Sequence, residues 1–312
     1  MTLTQLEYVI AVDDFGSFSR AAEKCFVTQP TLSMQIQKLE DELSVQIFDR
    51  TKKPIKTTPI GQEIIEQARQ NVQGMERIRE LVTEHNREIK GHLRVGIIPT
   101  LAPYLLPLFL TSFIQKYPQV HVSIEEYISE QIIQKLKQNW LDVGILVTPL
   151  DDPSITEIPL FYEQFHAYIS THHPLTHQHI IELENLDIDD MLLLSEGHCF
   201  REQVVNICPD KQRHDWKAQI RFESGSLETL KRIIEQDYGY TLLPELALQN
   251  ITVENKKYIK ELSDPKPIRE VSLILHRGIL KRNLIEALRE HILASIPEPL
   301  KDKNRGNIVN WV

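Results

Sequence analysis

A chain of 312 residues, 41% hydrophobic and 25% charged, has the composition of an ordinary soluble protein and enough material for about two domains. Its net charge of −9 argues against non-specific nucleic-acid binding by the chain as a whole, but leaves room for one small basic surface. Three cysteines, an odd count, argue against a secreted disulfide framework and fit a reducing cytoplasm, and the first residues lack the basic flank of a signal peptide.

Thr4 to Ala11 carries apolar residues at helical spacing, and Gly16-Ser17 supplies a stop and then an N-cap. A second short helix is predicted from about Phe18 to Cys25, where Ala21 and Ala22 allow close packing and Cys25 reads as core. Phe26-Val27 makes a turn, and Thr28 caps a third helix with Pro30 in its first turn. That helix places Leu32, Ile36, Leu39 and Leu43 on one face and Gln29, Thr31, Ser33, Gln37 and Lys38 largely on the other, where they can reach base edges and phosphates. Two small helices and a tight turn presenting a polar helix are the parts of a helix-turn-helix. The run Arg50-Thr51-Lys52-Lys53-Pro54-Ile55-Lys56 holds four cations and no acid, which suits a wing gripping phosphates. A helical interaction domain with a solvated basic loop is the alternative.

From Pro59 to about Ile89 the spacing predicts one long helix, with Ala68, Val72, Met75, Ile78 and Val82 forming a narrow apolar stripe suited to pairing with a second copy. Gly91 is the expected boundary. Beyond it strands and helices alternate: 93–98, 104–117, 120–125, 130–138 and 143–147, the pattern of β-α-β units. The apolar stretch from Val95 to Ile114 is broken by Pro99, Pro103 and Pro107, so it is not a membrane span. A second set follows at 191–194, 199–208, 220–223, 227–235 and 240–243. Two sets imply two lobes, with chain crossings near 161–170 and 265–269 that return the strand 271–276 and a last helix to the first lobe.

Ligands of open α/β sheets bind at the carboxyl ends of strands, where Thr100, Ser129 and Cys199 are expected to converge. His172, His173, His177 and His179 read as a solvated loop, since no cysteine or carboxylate is spaced to complete a metal site. Residues 301–312 read as a frayed tail in which Trp311 is the candidate for docking.

Cys199 lies between His198 and Arg201 at the predicted start of a helix, where cations and unpaired amides favour a thiolate. An intact helix from Cys199 to Cys208 separates their Cα atoms by roughly 13 Å and puts the sulfurs on opposite faces, whereas a disulfide tolerates about 4.4–6.8 Å. A disulfide between them must unwind the helix. The alternative is that both cysteines are small buried hydrophobes.

Phe18-Ser19-Arg20-Ala21-Ala22-Glu23, Thr28-Gln29-Pro30-Thr31-Leu32-Ser33, Leu39-Glu40 and Phe48-Asp49-Arg50 resemble the winged helix-turn-helix of LysR-type transcriptional regulators. The likeness covers nearly the whole chain. It implies an α+β two-domain architecture: a winged helix-turn-helix over 1–58, a linker and dimerisation helix over 59–90, and a periplasmic-binding-protein-like α/β effector domain over 91–300. Lobe I would comprise 91–163 and 266–300, and lobe II 164–265. The resemblance implies DNA contacts from Ser17, Arg20, Thr28, Gln29, Pro30, Thr31, Ser33, Gln37, Lys38, Arg50, Lys52 and Lys53. Many members carry an arginine in the recognition helix where this chain has Met34 and Gln37, so the resemblance implies DNA binding but not a target sequence.

Pro99 to Pro107, Gly197-His198-Cys199-Phe200-Arg201 with Cys208, and Ser226-Leu227-Glu228-Thr229-Leu230 with Leu242-Leu243-Pro244 are similar to the hydrogen-peroxide sensors of that family. By that likeness Cys199 is the peroxide-reactive cysteine and Cys208 its resolving partner. Thr100, Ser129, His198, Arg201 and Arg269 line the peroxide pocket, with serine at 129 where threonine is common. The implied partners are promoter DNA, hydrogen peroxide, RNA polymerase, thioredoxin or glutaredoxin as reductant, and further copies of the chain in a dimer or tetramer. No cofactor, metal, membrane or enzymatic turnover is implied. The competing readings are a LysR-type regulator responding to a metabolite, in which the cysteines are incidental, and a thiol peroxidase, which would not need a winged helix.

Overall fold

The computed structural model describes residues 1–52, 54–85, 88–208, 223–249, 251–277 and 281–311. The chain divides into two compact units, 1–86 and 87–312. Lys53 and residues 220–222 of an expected strand lie outside the described residues.

In the first unit, α1 (Leu3–Phe15) starts with a capping box: the Thr2 hydroxyl accepts from Gln5 N, and the Gln5 carboxamide accepts from Thr2 N. Gly16 ends it in the left-handed region at φ 59°, where a side chain would be strained. Ser17 caps α2 (Phe18–Lys24) and Thr28 caps α3 (Gln29–Leu43), as their positions in the sequence predict. Leu32, Ile36 and Leu39 are fully buried between these helices. Leu43 was expected with them but is 37% exposed, because Ser44 turns the chain into the left-handed region and the helix stops short of the core.

Strands β1 (Phe48–Asp49) and β2 (Lys56–Thr57) pair antiparallel and bracket the basic run. They lead into α4 (Pro59–His85), whose first turn presses on residue 47 so closely that a Cβ at Gly61 would sit 2.2 Å from the Ile47 oxygen. Ile65 and Ala68 of α4 enter the core, and Arg69 binds Asp13 at 2.8 Å and Asp14 at 2.6 Å. Further along, Met75, Ile78, Leu81 and Val82 are exposed.

In the second unit, β3 (Gly91–Ile97), α5 (Ala102–Lys116), β4 (Val120–Glu126), α6 (Ser129–Lys137) and β5 (Val143–Thr148) follow in the predicted alternation. Next come β6 (Ile155–Ile169), β7 (Ile180–Ile181), β8 (Leu193–Leu194), α7 (Cys199–Ile207), β9 (Glu223–Ser224), α8 (Leu227–Ile234), β10 (Tyr240–Pro244) and β11 (Ile259–Leu262). The chain returns through β12 (Pro267–His276), α9 (Arg282–Ser295) and the short β13 (Asn307–Ile308). Strands run β4-β3-β5-β12-β6, parallel among the first three and antiparallel around β12.

β6 is shared: from Ile155 to Gln164 it pairs with β12, and from Phe165 to Ile169 it pairs with β10. Each half of the sheet carries its own buried apolar cluster, one around Ile97, Phe109 and Leu273, the other around Tyr168, Leu230 and Leu243. No described helix is long and apolar enough to cross a membrane.

The tail corrects the expectation of a frayed end. β13 adds to β12 in parallel, with Asn307 opposite Pro267 and Ile308 opposite Ile268. Arg305 binds Glu245 at 2.7 Å, and the Trp311 indole donates to the Val147 oxygen at 3.2 Å. The approach is tight because residue 306 is glycine: a Cβ there would meet the Lys266 oxygen at 2.0 Å.

Candidate functional site

Cys199 is the first residue of α7, and Gly197, at φ 88°, makes the turn that starts the helix there. Although α7 belongs to the second lobe, Cys199 is buried in the apolar cluster of the first. The first lobe supplies Thr100, from the loop between β3 and α5, and Ser129, the first residue of α6, both buried. From β12 comes Arg269, which is 0% exposed. The structure brings these four together: the strand-end argument expects Thr100, Ser129 and Cys199, and Arg269 joins them from β12.

Arg269 is held from several sides. Its Nε and Nη2 donate to Glu163 Oε2 at 2.8 and 2.7 Å, its Nη1 donates to Thr100 Oγ1 at 3.3 Å, and its Nη2 to the Thr100 carbonyl at 3.4 Å. The guanidinium lies 5.4 Å from the centre of the Phe200 ring, which stacks on Phe165. Glu163 completes its own bonding with the Leu246 amide at 2.8 Å.

Burial pushes the Cys199 thiol up from its ordinary pKa, while the Ser129 hydroxyl, the Arg269 charge and the amides at the helix start pull it down. Ser129 Oγ lies near the sulfur but outside hydrogen-bond geometry with any described group, a buried polar atom without a protein partner. The sequence pointed to His198 and Arg201 as the activating cations, and this is corrected. Burial lowers the His198 pKa and keeps the ring neutral, and Arg201 Nη1 donates to the Leu194 oxygen at 2.7 Å. The cation that acts on Cys199 comes from 70 residues downstream, at 269.

Cys208 ends the same helix as its C-cap, buried in the cluster of the second lobe. Its thiol donates to the Val204 oxygen at 3.3 Å, and burial, reinforced by Asp187, pushes its pKa up to about 12. The helix is intact, so the two Cα atoms stand roughly 13 Å apart. The two lobes also meet above the site, where the Tyr104 hydroxyl of α5 donates to Glu228 of α8 at 2.8 Å.

The sequence reading missed Glu163. Its signal was an acid within the apolar run Phe161-Tyr162-Glu163-Gln164-Phe165, which a buried strand tolerates only when the charge is paired.

In the first unit, Arg20, Thr28, Gln29, Pro30, Thr31, Gln37 and Lys38 are exposed, while Ser17 and Ser33 are half-buried. The Thr28 and Thr31 hydroxyls bond at 2.8 Å, and Ser19 donates to Gln29 at 3.3 Å. Arg50 is turned inward to Glu40 at 2.8 Å and over the Phe18 ring at 5.2 Å; Glu40 also accepts from the amides of Ile47 and Phe48. The outermost described cations of the wing are Lys52, 3.8 Å from Asp49, and Lys56.

Residues 3–62 match the bacterial regulatory helix-turn-helix of the lysR family, and residues 86–297 match the LysR substrate binding domain. The chain belongs to the LysR family of transcriptional regulators. Within the family it is similar to the hydrogen peroxide-inducible genes activator of Haemophilus influenzae, 34% identical over 287 residues that cover 92% of this chain and 94% of that protein. A solved cysteine-to-aspartate variant of full-length OxyR from Pseudomonas aeruginosa superposes with a TM-score of 0.75 at 34% identity, covering 94% of this chain and 98% of that one. A cysteine-to-serine variant of OxyR from Corynebacterium glutamicum, with hydrogen peroxide bound, gives a TM-score of 0.61 at 27% identity over 94% and 92% of the two chains.

Proposed function

We propose that this protein is a DNA-binding transcriptional regulator that senses hydrogen peroxide through Cys199 and switches by forming a Cys199–Cys208 disulfide. One observation carries the reading: the two thiols are the ends of a single helix, each sealed in the core of a different lobe, and only Cys199 is surrounded by hydroxyls and a cation. The similarity to peroxide-inducible activators supports it.

The Cys199 thiolate attacks one peroxide oxygen, the O–O bond breaks, and the departing hydroxide takes a proton to leave as water. The sulfur becomes a sulfenic acid. Thr100 and Ser129 hold the peroxide by hydrogen bonds, and the buried site strengthens those bonds. Cys208 must then leave its apolar pocket, where its thiol stays protonated, before it can attack the Cys199 sulfur and expel the hydroxyl as water. That movement unwinds α7 and repacks the lobe that holds it.

The exposed Met75, Ile78, Leu81 and Val82 of α4 support pairing of two copies, which would offer two recognition helices to two half-sites of promoter DNA. In this reading a tetramer, contact with RNA polymerase, a cytoplasmic location and resetting by thioredoxin or glutaredoxin complete the cycle. The protein is consumed and reset as a switch, and is not an enzyme in its own right.

The test is to add stoichiometric hydrogen peroxide to the reduced protein, map the thiols by peptide mass spectrometry, and footprint promoter DNA with both forms. A Cys199–Cys208 disulfide within seconds and a changed footprint are expected. Free thiols with unchanged DNA binding would sink the reading and turn attention to a metabolite in the effector cleft.

A further inference from the structure

We propose that Glu163 is a positioning residue for the reaction of Cys199 with peroxide, acting through Arg269 to fix the direction of the Thr100 hydroxyl. The inference rests on the peroxide reading above. Glu163 and Arg269 face each other across β6 and β12 and are both 0% exposed. Each carboxylate oxygen of Glu163 is engaged, Oε2 by the arginine and Oε1 by the Leu246 amide, so the carboxylate cannot swing.

Arg269 has only donors to offer. With its Nη1 on Thr100 Oγ1, the threonine oxygen is an acceptor toward the arginine, and its single proton must point elsewhere. Thr100 lies between Ile98 and Leu101, which share the buried cluster of Cys199, and the same arginine acts on that thiol. A peroxide oxygen there, gaining negative charge as the O–O bond breaks, is the acceptor that proton fits. Glu163 also balances the arginine charge, so that the guanidinium stays on Thr100 rather than closing on the thiolate.

Glu163→Gln tests this, because Glu163 accepts from Arg269 on one oxygen and from the Leu246 amide on the other, and a carboxamide replaces one of the two by a nitrogen that only donates. The rate of Cys199 oxidation by peroxide should fall about 10- to 100-fold, while reaction of Cys199 with the small thiol reagent methyl methanethiosulfonate, which needs no oriented hydroxyl, should change by less than about threefold. Placed on a Thr100→Val background, Glu163→Gln should add almost nothing, since both remove the same contact. Equal losses toward both reagents, or multiplicative effects of the two substitutions, would overturn the proposal. Should Glu163→Gln fail to fold, Glu163→Asp keeps the charge and withdraws the carboxylate by one methylene, and the same selectivity must appear. If the unaltered protein itself does not oxidise at Cys199, the peroxide reading has failed; if it does and the variants are unselective, only the role of Glu163 has.

A separate observation carries a second inference: we infer that residues 305–311 form a strap that restrains α7 in the reduced state. Gln203 and Asn206 of that helix donate to the carbonyls of Val309 and Asn310 at 2.8 and 2.9 Å. Arg305 and Trp311 fasten the strap at Glu245 and Val147. Unwinding α7 to close the disulfide must break both helix contacts.

Ending the chain after Gly306 should leave sulfenic acid formation unchanged and speed the closing of the disulfide about two- to tenfold. Asn206→Ala, which removes one contact from an exposed position, should do the same more weakly. An unchanged closing rate in both would overturn the strap.

Discussion

Cys199 and Cys208 are both almost fully buried, at 4% and 2% exposure, and occupy the two ends of one nine-residue helix. Their surroundings differ in kind. Around Cys199 burial is opposed by Ser129, Arg269 and the amides of the helix start, whereas around Cys208 it is reinforced by Asp187. Burial alone therefore does not decide what a thiol does; the polar groups admitted with it do. One end of the helix is built to react, and the other is built to wait until the helix opens.

The largest test of this contrast is Cys199→Ser, which should abolish the peroxide-induced change in the DNA footprint. If it survives, the helix ends are not distinct. Next, Cys208→Ser should leave the first step intact and trap Cys199 as a sulfenic acid, detectable by a dimedone adduct, with slow further oxidation under excess peroxide.

The pH dependence sharpens the comparison further. With its pKa raised above the ordinary thiol value, Cys199 is mostly protonated at neutral pH, so its oxidation should speed up about tenfold per pH unit below that pKa. A flat profile in stopped-flow measurements would mean that the polar groups outweigh burial. For stability the sign is opposite: Cys208, folded, holds its proton up to about 12, so the stability it contributes is complete below the unfolded thiol pKa and is lost as pH rises toward the folded one. Cys208→Ser should flatten that alkaline decline in a denaturation series. The smallest effect is expected from Ile207→Val, which thins the packing beside Cys208, costs about 0.5–1.5 kcal/mol in urea unfolding, and should modestly speed the disulfide step.

What the sequence revealed was mostly local. Ser17 and Thr28 announce helix starts because a cap acts within three residues, and the polar and apolar faces of α3 follow from periodicity up to Leu43. The convergence of Thr100, Ser129 and Cys199 was legible because strand ends gather in any open α/β sheet. The cation that matters was not, since Arg269 reaches Cys199 only after β12 has returned from the second lobe. Of the two neighbours in sequence, Arg201 bonds the Leu194 oxygen and His198 is half-buried with a lowered pKa. Glu163 and Arg269 lie 106 positions apart, and no spacing rule joins them. The tail was hidden for another reason: α7 grips its backbone carbonyls, which every sequence has.

The pairing of β6 with β12 has a modular consequence. The first lobe ends at Gln164 and resumes at Ile268, and these residues face each other as neighbours in a ladder, about 5 Å apart. Topologically the second lobe is a cassette spliced into a hairpin, and a short turn joining the two strands would close the first lobe without it. Such a minimal protein would keep Thr100, Ser129, Glu163 and Arg269, and lose Cys199 with the cassette. The host lobe carries the pocket and the guest carries the sulfur, so neither half alone can meet peroxide.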